Sequence, residues 1–237
     1  MSGCLKALFS RDPSRVDAIL INSAGGLTSG DTLSVRCEVG AGASTAITTQ
    51  AAERAYRAVD EPAQVTTQIR VAEQATMLWL PQELILFDGA ALDRRLNVDL
   101  AESARLLLVE PVIFGRTRMG ESLEDIFFHD RISIDRAGVP FYRDNTRTVG
   151  DAKKTLGRLA VADGAGAMAS LVYVGDDAKG RYHQLWSSLP STSGGSLLQD
   201  DLLVMRLLAK DGFELRKTLL PILDLLTDNT LPTSWRL

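Results

Sequence analysis

The stretch Gln64-Val65-Thr66-Thr67-Gln68-Ile69-Arg70-Val71 decides how this chain is to be read. Val65, Thr67, Ile69 and Val71 alternate with Gln64, Thr66, Gln68 and Arg70, and successive side chains of a strand point to opposite faces of its sheet. One face is apolar or β-branched and the other polar, as in a strand lying half-buried over a core. Upstream, Leu33, Val35, Cys37 and Val39 alternate in the same way with Thr32, Ser34, Arg36 and Glu38, after a short apolar strand and a glycine-rich turn. Thr45 to Gln50 is rich in β-branched residues and follows a turn at Gly40 to Gly42. Downstream, Ala75 to Leu80, Leu84 to Phe87, Leu92 to Leu100, Arg105 to Phe114 and Asp125 to Ile134 continue the series, broken by Pro, Gly, Asp and Asn.

Strands recurring about every ten residues with no helical period between them predict a mainly β fold of stacked antiparallel sheets, not βαβ units. Beyond Leu156 the pattern changes. Met168 and Leu171 to Val174 read as a buried strand, Gly175 to Gly180 as a turn, Ser187 to Ser196 as an exposed loop and Leu202 to Leu208 as another strand. Gly212 to Thr227 predicts a small C-terminal helical element, because Leu215, Leu219, Ile222, Leu223 and Leu226 recur at spacings of three and four. Pro221 predicts a kink or an early stop within it. No internal repeat and no low-complexity linker is read, so residues 1–237 are expected to form a single domain.

The 237 residues can bury a substantial core without disulfides. A formal charge of -4 argues against a general nucleic-acid binder, and no apolar run is long enough to span a membrane. With Cys4 and Cys37 as the two cysteines and no secretory h-region at the start, free thiols and a cytoplasmic location are expected. His129 and His183 are the two histidines, and no HxH, HExxH or CxxC occurs. A dedicated transition-metal site is therefore not expected, while weak coordination by carboxylates stays open.

Several blocks invite a chemical reading. Asn22 to Asp31 holds three glycines, but it lacks the Lys-Ser/Thr ending of a phosphate loop and opens a strand, so a tight hairpin is the better reading. Glu83 and Asp88 lie near a Pro-bounded bend, and with His129 they offer an alternative: a β-rich hydrolase or metal-assisted lyase. No GxSxG elbow or cysteine nucleophile accompanies them. Arg116, Arg118 and Glu121 sit between glycines as ligands for a partner or as local ion pairs. Trp186 and Trp235 suit a protein interface, and Trp235 suits equally a plug for the chain's own core.

Taken in order, these blocks resemble the UreD (UreH) family of urease accessory proteins. The resemblance rests on Asn-x-x-Gly-Gly-Leu-x-x-Gly-Asp at 22–31, Thr-Thr-Gln-Ala-Ala with Tyr-Arg at 48–57, and Trp-Leu-Pro-Gln-Glu with Phe-Asp-Gly-Ala at 79–90. It continues through Phe-Gly-Arg with Met-Gly-Glu at 114–121, Asp130-Arg131, Leu171 to Gly175 and the terminal Leu-Pro-x-x-Trp. Ser29 stands where the family often has Gly. The start looks shortened, since family members usually carry further N-terminal strands, and a bare sheet edge would favour association. The resemblance implies a non-catalytic cytoplasmic scaffold that binds apo-urease and docks UreF, which recruits the GTPase UreG. It implies no tightly bound cofactor and only transient nickel. Asp31, Glu83, Asp88, Glu110 and Glu121 lie inside family-like blocks and are the candidate nickel-path carboxylates; Arg116, Arg118, Trp186 and Trp235 are the candidate partner contacts.

Overall fold

The computed structural model describes residues 3–10, 15–116, 120–187 and 189–236. Strands β1 (Leu5–Phe9) and β2 (Val16–Asn22) form an antiparallel hairpin. From there the chain winds. Strands β3 (Thr32–Val39), β6 (Ala63–Val71) and β9 (Ala91–Leu100) lie side by side in a smaller sheet, and each runs parallel to the next. Each is followed, across the turns 40–43, 72–75 and 101–104, by a strand of a larger sheet: β4 (Ser44–Thr49), β7 (Thr76–Leu80) and β10 (Arg105–Phe114). These too are parallel, and β2 joins them beside β4. Short strands β5 (Glu53–Ala55) and β8 (Leu84–Leu86) pair with each other, and β8 pairs with the end of β10.

The result is a solenoid, and it carries the internal repeat that the sequence reading lacked. Val39-Gly40-Ala41-Gly42-Ala43, Val71-Ala72-Glu73-Gln74-Ala75 and Leu100-Ala101-Glu102-Ser103-Ala104 are the same turn in successive coils. They stack through Gly42 N–H to the Glu73 carbonyl (3.0 Å), Thr76 N–H to Ala43 (2.9 Å) and Arg105 N–H to Ala75 (2.9 Å). Gly42 and Gln74 both take left-handed backbone there. Only the apolar residue and the closing alanine persist between copies, which hides the repeat from a composition scan.

Mainly β architecture, two stacked sheets and the C-terminal helix agree with expectation, but antiparallel pairing is confined to the two ends. Beyond β9 the smaller sheet adds β11 (Ile126–Arg136), parallel to β9, and then β12 (Val139–Gly150), antiparallel to β11. Beyond β10 the larger sheet adds β13 (Ala167–Val174), β15 (Leu202–Ala209) and β14 (Ser193–Gln199), all antiparallel. A chain that crosses between sheets at every turn and advances one strand per coil sets like-directed strands side by side. Period-two alternation is identical for either sense of pairing, so it carries no information about the choice.

Among the described residues three α-helices accompany the strands: α1 (Ala152–Leu156) between β12 and β13, α2 (Ala178–Trp186) between β13 and β14, and α3 (Gly212–Leu226) after β15, with a 3-10 turn at Thr233–Arg236. Leu215, Leu219, Ile222, Leu223 and Leu226 of α3 pack on the outer face of the larger sheet, and Asp211 caps its first turn by accepting from Glu214 N–H (3.0 Å). The helix runs through Pro221 without a stop, because that buried stripe outweighs one lost backbone bond. Helix α2 buries only Ala178 and Leu185, so no apolar period announced it where a turn was expected. Strand β14 begins inside the segment read as an exposed loop, since a Ser-Gly-Gly edge strand has the composition of one. With one face on the smaller sheet and the other under helices, every side chain of β13 is buried. Among the described residues no helix is long and apolar enough to cross a membrane.

Candidate functional site

Three separate loops meet at one end of the coils. Asn22 to Asp31 is not a hairpin; it carries the chain from the larger sheet to the smaller, with Gly25 and Gly30 in left-handed backbone. Asn22 Nδ2 donates to Gly26 O and to Glu53 Oε2, both at 3.1 Å, while Leu27 N–H donates to Arg54 O (2.7 Å) and receives Tyr56 N–H at its own carbonyl (2.8 Å). Glu53 N–H donates to Glu83 O (2.9 Å), Phe87 N–H to Ala55 O (3.0 Å) and Ala58 N–H to Gly89 O (2.9 Å). A side chain at Gly26 would meet the Tyr56 ring at 2.3 Å and Arg54 O at 2.8 Å, which is why that position needs glycine.

Beneath these loops a cavity of about 280 Å³ opens between the sheets. Leu27, Leu84 and Leu92 form part of its wall, Glu53 and Asn22 also line it, and Trp79, Arg94 and Glu110 reach it from the strands. Arg94 sits at an inward position of β9 between Leu92 and Leu96, and Asp130 at the matching position of β11. Its guanidinium donates to both Asp130 oxygens (2.9 and 2.7 Å) and stands 2.6 Å from Glu110 Oε2, a contact without hydrogen-bond alignment. Trp79 Nε1 donates to the other Glu110 oxygen (2.7 Å). One guanidinium thus faces two carboxylates in a buried seam between two apolar clusters. Burial pushes the Glu110 carboxyl up to about 6, with Asp130 adding to the effect and Arg94 and Trp79 opposing it.

A second ionic group lies outside. Asp88 accepts from Glu124 N–H (2.8 Å) and Asp125 N–H (3.2 Å) and pairs with Arg57 (2.6 Å). Glu121 accepts from Arg116 N–H (2.9 Å), from its guanidinium (3.2 Å) and from Asp88 N–H (3.3 Å). Arg116 lies over the Phe87 ring (4.4 Å), which meets Tyr56 edge-on (5.0 Å). Partial burial acts to raise both carboxyls, but the backbone donors and Arg57 at Asp88, and Arg116 at Glu121, hold each below its ordinary range.

The remaining expected residues go elsewhere. Asp31 closes its own turn by accepting from Thr28 N–H (2.9 Å). Glu83 pairs with Arg216 (3.0 Å). His129 contacts Asn145 Oδ1 (2.9 Å). Among the described residues no hydrogen bond or ion pair joins any two of Glu83, Asp88 and His129, so the constellation of the hydrolase or lyase alternative is not assembled. Of the five carboxylates, Glu110 alone lines the cavity, and no group of three or more His, Cys, Asp or Glu among the described residues is arranged to hold a metal ion. Trp235 is 0% exposed, donates Nε1–H to Leu80 O (3.0 Å) and lies under Arg216 (5.1 Å), so it is a core plug and not a partner contact. Trp186 is 56% exposed beside Tyr182 (5.5 Å). Arg118 lies outside the described residues. Arg94, Asp130, Glu53 and Asn22 were missed. Arg94 and Asp130 had a legible signal, since each interrupts the apolar face of an alternating strand.

The family described as UreD urease accessory protein matches residues 1–236. A urease accessory protein UreD from Roseobacter denitrificans is 50% identical over 237 residues, covering 100% of this chain and 87% of the relative. One from Ruegeria pomeroyi is 50% identical over 236 residues, 99% of this chain and 92% of the relative. One from Rhizobium leguminosarum bv. viciae is 42% identical over 223 residues, 94% and 82% respectively.

Proposed function

Because the chain belongs to the UreD family of urease accessory proteins, whose role is in urease maturation, we propose that it is a non-catalytic scaffold in that process. It binds apo-urease and docks UreF, through which the GTPase UreG is recruited, and so supports nickel insertion in the cytoplasm. One observation carries this reading: the three blocks at 22–31, 48–57 and 79–90, far apart in sequence, are knitted together by backbone hydrogen bonds and by the Asn22–Glu53 side-chain bond, with Arg54, Tyr56 and Arg57 exposed among them. Arg54, Tyr56 and Arg57 are of the types favoured at protein interfaces.

The cavity behind that face supports a part in passing the metal. Nickel is cargo in this proposal, and its path runs by Glu53 and Glu110, not through Asp31, Glu83, Asp88 or Glu121. Two carboxylates against one guanidinium leave the buried seam short of positive charge, which a proton or a passing divalent cation supplies. Sparse oxygen donors bind nickel weakly enough to release it.

The test is co-expression of this chain with UreF and the urease subunits, followed by capture on the urease. A ternary assembly and nickel-loaded, active urease are the expected results. Normal urease maturation in cells lacking this chain would overturn the proposal. Glu110→Gln separates the two parts: scaffolding alone predicts normal assembly and normal nickel content, while the path predicts normal assembly with reduced nickel.

A further inference from the structure

Two buried carboxylates converge on Arg94 from different sheets, Glu110 of β10 at 3% exposure and Asp130 of β11 at 4%. Both Asp130 oxygens accept from the guanidinium, at 2.9 and 2.7 Å. Trp79 fixes the Glu110 carboxyl by donating Nε1–H to Oε1 (2.7 Å). The other oxygen, Oε2, is buried 2.6 Å from Arg94 and accepts no hydrogen bond. Glu110 and Arg94 both line the cavity, so an unfilled acceptor and a fixed positive charge border the same space. Between β12 and β15 another inward arginine is balanced: Arg206 donates to the two oxygens of Asp144 (3.0 and 2.9 Å) and to Ser170 Oγ (2.6 Å), and none of these acceptors is left unfilled.

We infer that Arg94 is a built-in counter-cation that keeps nickel from lodging in the seam. The inference rests on the nickel path proposed above and names the residue that sets its affinity. Two buried carboxylates without a cation form an oxygen site that holds a divalent ion, because each carries a charge that burial leaves uncompensated. With the guanidinium forked onto Asp130, an entering ion meets one unfilled carboxylate oxygen of the seam, Glu110 Oε2, beside a positive charge that repels it. A single donor under repulsion binds weakly, and the ion moves on. Arginine suits this part better than lysine or histidine, since its planar fork grips Asp130 at two points and it does not lose its proton. In agreement, no group of three or more His, Cys, Asp or Glu among the described residues is arranged to retain a metal. Arg94 is thus a positioning residue, acting on the ion through the two carboxylates that it occupies.

Isothermal titration of the purified chain with nickel chloride at neutral pH tests this. Arg94→Gln is expected to bind nickel about tenfold or more tightly than the native chain, and Arg94→Gln combined with Glu110→Gln to fall back to the native level. Arg94→Lys keeps a positive charge in the seam and is expected to bind as weakly as the native chain, a result that a purely structural arginine does not require. A folded Arg94→Gln chain with native affinity for nickel would overturn the inference. Where that variant is unfolded on its own, nickel is expected to restore its circular dichroism, because a ligand held only by the folded state stabilises it. A variant that stays unfolded in nickel would overturn the inference as well. The path itself fails on a different measurement: normal nickel in urease matured with Glu110→Gln removes the path, whereas the titration, made on this chain alone, still decides what Arg94 does.

Discussion

Two ionic groups built from the same side chains behave in opposite ways. Around Arg94 the carboxylates are enclosed by apolar clusters, and Glu110 is pushed up; around Asp88 and Glu121, near the surface, backbone donors and arginines hold the carboxyls down. In the seam little water reaches the charge, so an incompletely paired carboxyl is driven toward its protonated form. At the surface water screens the pairs, and their main effect is to hold loop shape. The chemistry of an arginine–carboxylate pair is therefore set by what surrounds it.

The contrast breaks most visibly at its centre. Arg94→Ala leaves Glu110 and Asp130 buried without their shared cation, and urea unfolding is expected to show a loss of about 3–5 kcal/mol. Replacing Glu110 sharpens it through pH. Its carboxyl rises from 4.5 unfolded to about 6 folded, so the folded state holds the proton longer, and that stability is complete below pH 4.5 and lost as pH climbs past 6. Relative to Glu110→Gln, the native chain should lose about 2 kcal/mol across that window, read from unfolding at a series of pH values. Asp88 should give the reverse slope. Its folded carboxyl is depressed, so its contribution is present above the ordinary carboxylate range and lost as pH falls through the lowered value. Asp88→Asn is expected to cost about 1 kcal/mol at neutral pH and less in acid. Smallest in stability is Arg57→Ala, below about 1 kcal/mol, with capture by urease or UreF weakened well beyond what that change in folding explains.

Part of this was legible early. Alternation in Gln64 to Val71 and Thr32 to Val39 located β6 and β3 within a residue, and the spacing from Leu215 to Leu226 located α3. Glu110 lies in a family-like block and lines the cavity, but nothing in its block marks it as buried. Arg94 is not singled out in the sequence and Asp130 enters only through the Asp130-Arg131 block, although each occupies an inward slot of an alternating strand. Trp235 was read as partner contact or plug, and burial selected the plug.

What the residue order determined by itself is what depends on near neighbours: which faces of which strands are apolar, where turns fall, which segment is helical and to which family the blocks belong. Sense of pairing, the solenoid path and the meeting of Asn22 with Glu53 were decided only when the chain closed on itself. The reason is range. A strand's periodicity is fixed by its own backbone geometry, whereas parallel pairing, a cavity and a buried charge cluster arise between residues about thirty apart, where one-dimensional order carries no distance.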